Sequence, residues 1–541
     1  MDMSEALAGE ASDEAATEIS AKGTMRRVII GASLGTAFEW YDFFVYGSLS
    51  SIFSAQYFPK GSETAAFLAA LATFGAGFAV RPLGALIFGH VGDTLGRKKT
   101  FLITIILMGL ATAATGIVPT FDSWGWFAPL AVVLLRLVQG LALGGEYGGA
   151  AIYVAEHSPD AERGLYTSWL QTTATLGFAA SIIAVFVCRT AIDDKSFIAW
   201  GWRIPFLVSL ILLVFSVYLR LKLNESPVFD RMIREGKVSR APLSEAFSSR
   251  TNIWKMLVVC IGPTAGETVI FYTAQFYVLF FLTSTLKVPY AQAYAAILVA
   301  LFASIPLYAV FGWISDRIGR KPVILAAFAI GALSIFPTFD LIARASNPNL
   351  VAFQKHVDIE VRAHSCNFLL FSAPTTPCDK TRDLLTKSGL SYSLTDLSPP
   401  NEAGVEVRIG DQTVSGFDDG AIHKVLSDAG YPGTPSANDV DMPALIWGLF
   451  VLLTLVAMAY APLAALYVEL FPARIRYSSV SLPYHVGTGW FGGFMPFVSA
   501  ALGVHFGNIY AGLWYPVVIC AVAFAVSFWL LPETKGARIS E

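Results

Sequence analysis

Continuous blocks of about twenty residues, apolar and nearly free of charge, recur along this 541-residue chain and constrain its fold more than any other feature. A helix needs about 20 such residues to cross ~30 Å of hydrocarbon. Twelve blocks qualify, at about 28–50, 65–88, 100–118, 127–150, 165–188, 203–222, 253–284, 290–312, 321–338, 443–466, 478–503 and 508–531. Only 14% of the residues are charged, against roughly 25% in soluble proteins. Forty Phe and 12 Trp with so few charges do not fit water-facing domains. The runs are continuous rather than alternating, which excludes the ten-residue strand pattern of a membrane barrel. The expected fold is all-α and membrane-spanning.

Orientation follows from Lys and Arg in the short connections. With the N-terminus in the cytoplasm, the inner segments carry 22 Lys and Arg and the short outer loops 5. Both termini are therefore expected in the cytoplasm. Residues 1–27 read as a polar tail whose first twenty residues, acidic and rich in Ala and Ser, lack a secretory-signal pattern. A central cytoplasmic loop is expected at 223–252 and a short tail at 534–541.

The chain contains two copies of one unit. Gly89-His90-Val91-Gly92-Asp93-Thr94-Leu95-Gly96-Arg97-Lys98 matches Gly312-Trp313-Ile314-Ser315-Asp316-Arg317-Ile318-Gly319-Arg320-Lys321, with the aspartates 223 positions apart. Further on, Glu156-His-Ser-Pro159 followed by Arg163 is paired with Glu469-Leu-Phe-Pro472 followed by Arg474, and the glutamates are 313 apart. The jump of 90 places an extra segment of that size between the ninth and tenth blocks. Residues 339–441 are polar, hold 8 of the 37 Lys and Arg, and contain no apolar block. Strand-like pieces (Asp358–Arg362, Val405–Ile409) and helix-like pieces (Lys380–Ser388, Asp419–Ala429) predict a small extracytoplasmic α/β insertion. The expected units are an N-terminal six-helix bundle at 28–222 and a C-terminal bundle at 253–338 and 442–533.

These residues carry a resemblance. Twelve spans in two halves, with G-x-x-x-D-x-x-G-R-K in both copies, resemble the major facilitator superfamily. Glu39-Trp40-Tyr41-Asp42-Phe43-Phe44-Val45-Tyr46-Gly47, Arg81-Pro82-Leu83-Gly84, Arg136-Leu-Val-Gln139-Gly140 with Gly144-Gly145-Glu146, Trp202-Arg203-Ile204-Pro205-Phe206 and Glu469-Leu-Phe-Pro-Ala-Arg474-Ile-Arg476-Tyr477 are similar to the metabolite:H⁺ symporter family within it. The resemblance covers about 28–338 and 442–534. It implies a bacterial inner-membrane symporter for small organic acids or zwitterions, driven by the proton gradient, and a cytoplasmic gate at the Asp93/Arg97 and Asp316/Arg320 loops. The insertion departs from that pattern. So does the C-terminus, which lacks the long coiled-coil tail of some proline/betaine members.

Ionisable groups inside a span are costly and mark candidate sites. At 1.5 Å per residue, Asp42 lies roughly 21 Å from the inner end of the first span, and Arg136 lies at the same level in the fourth. Glu39 is one turn below Asp42, and Arg81 is roughly 10 Å deep. Two acids and two arginines could thus pair in the first half, either as a proton-coupling network or as fixed ion pairs that position helices. Glu267 is a midplane acid followed by Tyr272, Gln275 and Tyr277; His485 lies in the eleventh span. Each could line a substrate cavity or be a satisfied core residue. Glu146, Glu469 and Arg474 lie near the inner ends and join Asp93, Arg97, Asp316 and Arg320 as gate candidates. Simple positive-inside anchoring is the alternative there.

Cys366 and Cys378 are the two cysteines of the insertion, 12 apart on the oxidising side. A disulfide is expected there, with two unpaired thiols as the alternative. No nucleotide-binding glycine loop, nucleophile–base pair or metal motif occurs, and a net charge of −3 points to no nucleic-acid partner. The expectation is a proton-coupled symporter of a small metabolite, monomeric in the bilayer, without a cofactor and not an enzyme. A uniporter or antiporter on the same fold, or a nutrient sensor that uses the insertion, are the alternatives.

Overall fold

The computed structural model describes residues 33, 35–59, 62–95, 97–145, 147–221, 242–364, 366–367, 370–397, 404–473, 475–537 and 539. Residues 1–27, most of the 223–252 loop, Glu146, Arg474 and the side chains of Asp93 and Arg97 lie outside the described residues.

Among the described residues, nine helices are long and apolar enough to cross a membrane. Two of them are mostly enclosed by protein: Arg250–Thr285, with 89% of its apolar window buried, and Met442–Leu470, with 78%. Gly201–Tyr218 and Ala511–Leu530 are only 33% and 28% buried. Side chains such as Ile211, Val214, Phe215, Leu333 and Trp529 point outward from the bundle. A belt of large apolar side chains on the outside of a helical bundle suits lipid and not water. Leu102–Ile117 is a shorter apolar helix. The first expected span is helical over 35–48 and Ser50–Tyr57, with a turn at Leu49. The eleventh divides into Arg476–Gly487, a wide turn at Thr488–Gly493, and Met495–Phe506.

Glycines bring the backbones of the first half together. A Cβ on Gly140 would lie 1.7 Å from the Gly77 carbonyl oxygen, and one on Gly144 would lie 2.1 Å from that of Arg81. Small residues at such crossings permit the close approach on which helix packing in lipid depends.

The helix expected to end at 338 continues to Ser346, where Asn347 opens a further helix, Pro348–His356. Beyond it lies a four-stranded sheet of β1 (Ile359–Ala363), β2 (Ser393–Thr395), β3 (Val405–Ile409) and β4 (Gln412–Ser415), in the order β2-β1-β3-β4. β1 runs parallel to β2 and antiparallel to β3, which runs antiparallel to β4. Val405, Val407 and Ile409 are buried while Arg408 faces out, the alternation that a half-buried strand requires. Helices Pro377–Lys387 and Asp419–Asp428 pack Leu385, Ile422 and Leu426 against it. Thr376 and Asp379 form a reciprocal cap at the start of the first of these. Cys366 and Cys378 are joined in a disulfide, with their Cα atoms 5.4 Å apart.

Candidate functional site

One end of the molecule is closed by an ion-pair cluster that crosses between the halves. Arg163, of the first half, donates to Glu469, of the second, at 2.9 Å, and both side chains are fully buried. Arg320 donates to the same carboxylate at 3.0 Å and to Asp316 at 2.6 Å. Asp316 accepts the N–H groups of Gly164 and Leu165 at 2.8 Å each. Its carboxylate thus caps the first turn of helix Arg163–Ala191 from the opposite half, where the helix dipole favours a negative charge. Thr534 closes the cluster with a 2.7 Å hydrogen bond to Glu469. The backbones meet here too: a Cβ on Gly312 would lie 2.6 Å from the Gly164 carbonyl oxygen.

The related contact pairs Arg476 of the second half with Glu156 of the first, at 3.1 Å. Tyr477 adds a 2.7 Å bond to the Gly145 carbonyl. Arg476 stands 313 positions after Arg163, as Glu469 does after Glu156. The equivalent of Arg163 is therefore Arg476 and not Arg474. Sequence reasoning left Arg163, Glu156 and Arg476 out of the gate, although applying the glutamate offset to the arginine would have found two of them.

In the middle of the first half, no hydrogen bond or ion pair joins Asp42 to Arg136 among the described residues. Arg136 donates to Gln139 at 2.6 Å and to the Phe43 carbonyl at 3.2 Å. Gln139 passes the chain on to Thr112 at 2.9 Å. The guanidinium lies over the rings of Phe43 and Tyr46, 4.1 and 4.5 Å from their centroids. Arg81 is fully buried, with no hydrogen-bond partner on its three side-chain nitrogens. It lies 3.8 Å from the Phe78 centroid and 4.5 Å from that of Phe43. Buried cation–π contacts of this kind stabilise by about 1–2 kcal/mol each.

Asp42 is buried, but Oδ1 has no hydrogen-bond partner among the described residues and its polar neighbour is Ser209. The reason is azimuth. Successive residues of a helix point about 100° apart, so the turn that aims Phe43 at Arg136 aims Asp42 elsewhere. Depth alone placed the two residues on one level without placing them face to face. Glu39, one turn below, is also buried.

Glu267 is buried on helix Arg250–Thr285, between wide turns at Cys260–Thr264 and Thr273–Tyr277. Such π-type turns re-aim side chains and are frequent at functional sites. Tyr272 packs edge-on against Phe78 at 5.2 Å, and so joins the second half to the ring cage of Arg81. Gln275 donates to Thr175 of the first half at 3.4 Å, and Thr175 bonds Tyr308 at 2.7 Å. His485 is buried beside Tyr484, with neither ring nitrogen hydrogen-bonded to protein. Phe44 and Phe74 meet Phe276, with centroids 5.0 and 5.2 Å apart, and close an aromatic seam between the halves.

Beyond that seam, at the end away from the Glu469 cluster, lies a cavity of about 560 Å³. Tyr277, Phe280 and Lys287 line it, together with Ser51 of the first half and Thr386 and Lys387 of the insertion. Tyr277 therefore belongs to this cavity and Tyr272 to the central cage.

Two helical halves closed at one end, with buried ionisable groups between them and a cavity at the other end, define a membrane transport protein. Residues 28–244 match the family model described as sugar (and other) transporter. The chain is 37% identical over 328 residues to the proline/betaine transporter of Escherichia coli, a match covering 59% of this chain and 65% of that one. It thus spans just under two thirds of that relative. It is 30% identical over 527 residues to a putative metabolite transport protein of Haemophilus influenzae, covering 96% and 97%. The solved structure of the proton:xylose symporter XylE bound to 6-bromo-6-deoxy-D-glucose shares the fold, with a TM-score of 0.64 at 14% identity, over 96% of this chain and 98% of that one. The chain belongs to the major facilitator superfamily and, within it, to the metabolite:H⁺ symporter family.

Proposed function

We propose that the protein is a proton-coupled symporter of a small organic acid or zwitterionic metabolite, working by alternating access as a monomer in a bacterial inner membrane. In this reading the chain makes twelve spans, both termini and the Glu469 cluster face the cytoplasm, and the insertion lies outside. The observation that carries it is the inter-half cluster of Arg163, Glu469, Arg320 and Asp316, opposite a cavity of about 560 Å³. Buried ion pairs that join two rigid halves at one end are what a rocking carrier breaks and remakes.

The coupling proton is assigned to Asp42, with Glu39 beside it. Asp42 is a buried acid with no counter-ion among the described residues, and an uncompensated charge there would be expensive. Arg136 is anchored on the carbonyl of the next residue, Phe43. The substrate is assigned to the space between Arg81, Glu267, Tyr272, Gln275 and His485, where both halves contribute. The relatives' printed cargoes, proline and betaine, suit a site with buried charges of both signs.

Proteoliposomes holding the purified chain test this. With an inward pH gradient, one of 2-oxoglutarate, citrate, shikimate, proline or betaine should accumulate, and its addition should drive proton entry. Uptake without proton movement would make the protein a uniporter, and proton exit an antiporter.

A further inference from the structure

We propose that the cavity under the insertion is a second ligand site, for a small carboxylate, in which the Lys287 ammonium receives the carboxylate and the insertion forms one wall. Lys287 lies in the short turn between helices ending at Thr285 and starting at Tyr290. Its φ is +59°, and among the described residues no other non-glycine residue has a positive φ. A lysine held in a conformation that L residues avoid indicates that the surrounding structure over-determines the turn.

The turn is held from several sides. Leu286 and Val288 N–H groups donate to Phe281 and Leu282 carbonyls, each at 2.9 Å. From the insertion side, Asn347 donates to the Leu286 carbonyl at 3.0 Å. Gly389, at φ +69°, packs so tightly on Thr285 that a Cβ would lie 2.1 Å from its carbonyl oxygen. The insertion is itself bound to the second half: Tyr392 N–H donates to Gly507 at 2.8 Å, and Arg382 to the Val504 and His505 carbonyls at 3.0 Å. Its contacts with the first half are slighter: Ser62 to Asp383 at 3.3 Å, and Lys387 to Glu63 at 3.8 Å.

The charges decide the ligand class. Lys387 is neutralised by Asp383 at 3.0 Å and approached by Glu63. Lys287 faces the same cavity half-buried, in no ion pair and no hydrogen bond among the described residues, with Glu63 and Lys387 as its charged neighbours. Burial already holds its ammonium below the usual lysine range. A carboxylate at Lys287 would gain a charge-assisted hydrogen bond from its ammonium, with acceptor oxygens left for the hydroxyls of Ser51 and Thr285. Tyr277 and Phe280 offer an apolar floor for the ligand's carbon skeleton. The volume falls within the usual range for small-molecule sites. The site is separate from the Arg81 cage, which lies across the aromatic seam. It stands on the cavity alone; that its ligand then moves to the middle of the protein rests on the transport reading above.

The test is protection of Lys287 from amine acetylation in the full-length protein in nanodiscs, read by mass spectrometry with exposed Lys355 as internal standard. The probes are 2-oxoglutarate, citrate, shikimate, proline and betaine. At ten times its Kd, a ligand bound here slows Lys287 labelling roughly tenfold and leaves Lys355 unchanged. The protecting probe should bind Lys287→Gln at least about tenfold more weakly by calorimetry, the loss of one charge-assisted contact. Asp42→Asn should keep the protection. If none of the five protects Lys287, or Lys287→Gln binds as tightly as the parent, the site is overturned. Failure of the transport reading shows separately, as absence of uptake by the parent in proteoliposomes.

Discussion

Arg163 and Glu469 meet at 2.9 Å across the two halves, both completely buried. Glu469 also receives Arg320 and Thr534, so one carboxylate holds donors from several segments. Neutralising one member of a buried charge cluster is more damaging than the cluster's net contribution, because it leaves buried charges under-compensated: Arg320 would keep Asp316 and Arg163 would keep Asp160, but both would lose the shared carboxylate.

Glu469→Gln should therefore release the closed end. A loss of about 3 kcal/mol from the closed state shifts the open/closed ratio more than a hundredfold. A reporter cysteine at Thr167, buried just inside the cluster, would read it in a background where Cys188, Cys260 and Cys520 are replaced. Maleimide labelling should be slow in the parent and fast in the variant. Equal rates would show that the cluster does not control opening.

The all-helical, membrane-crossing character was legible because membrane crossing imposes a composition, and the loop motif recurs almost unchanged between Asp93 and Asp316. The strand at Val405–Ile409 was legible because its burial alternates with period two. What escaped was angular. Depth along a helix follows from counting, but the facing of Asp42 against Arg136 depends on packing that no single helix encodes. The wide turns at Cys260–Thr264 and Thr273–Tyr277 re-aim Glu267 and Gln275 in a way that regular periodicity does not show. The place of Lys287 was illegible for another reason: its partners on the cavity wall come from the insertion, a hundred residues further on.

The Cys366–Cys378 bridge closes a short loop beside the start of helix Pro377–Lys387. Replacing both cysteines by serine should destabilise the insertion by about 2–3 kcal/mol. Limited proteolysis of the full chain should then cut within 347–441 at lower temperature, while uptake at low temperature is retained. Labelling of both thiols in the unreduced parent would refute the bridge.

Asp379 gives the insertion an acid limit. Burial alone would raise its pKa, but the hydrogen bonds from Thr376, Asn367 and Thr375 outweigh it and hold the carboxyl below its ordinary 3.8. A depressed carboxyl contributes stability above the unfolded pKa and loses it as pH falls through the folded one. The insertion should thus be most resistant to proteolysis above about pH 5 and weaken below about pH 4. Asp379→Asn should be less stable by about 1 kcal/mol at pH 7 and show a flatter acid dependence. An unchanged acid profile in that variant would assign the limit to another group.

Arg136 is held by rings, Gln139 and the Phe43 carbonyl, with no direct tie to Asp42. Arg136→Gln should cost about 2–3 kcal/mol of thermal stability through the lost cation–π contacts. The loss should be the same, within about 0.5 kcal/mol, in the parent and in the Asp42→Asn background. A markedly smaller loss in the second background would reveal a direct ion pair in the resting protein.

Asp42→Asn is also the decisive variant for coupling. It keeps the shape of a buried side chain that has no counter-ion among the described residues and removes its titration. One pH unit is worth about 1.4 kcal/mol per proton, so a single coupled proton supports a roughly tenfold substrate ratio across the membrane. In proteoliposomes under such a gradient the parent should approach that ratio. The variant should stop near equal concentrations yet still exchange labelled for unlabelled substrate, because exchange needs no net proton release. If it accumulates substrate as the parent does, Asp42 is a packing residue, and the proton then belongs on Glu267, the buried acid of the second half's most enclosed helix.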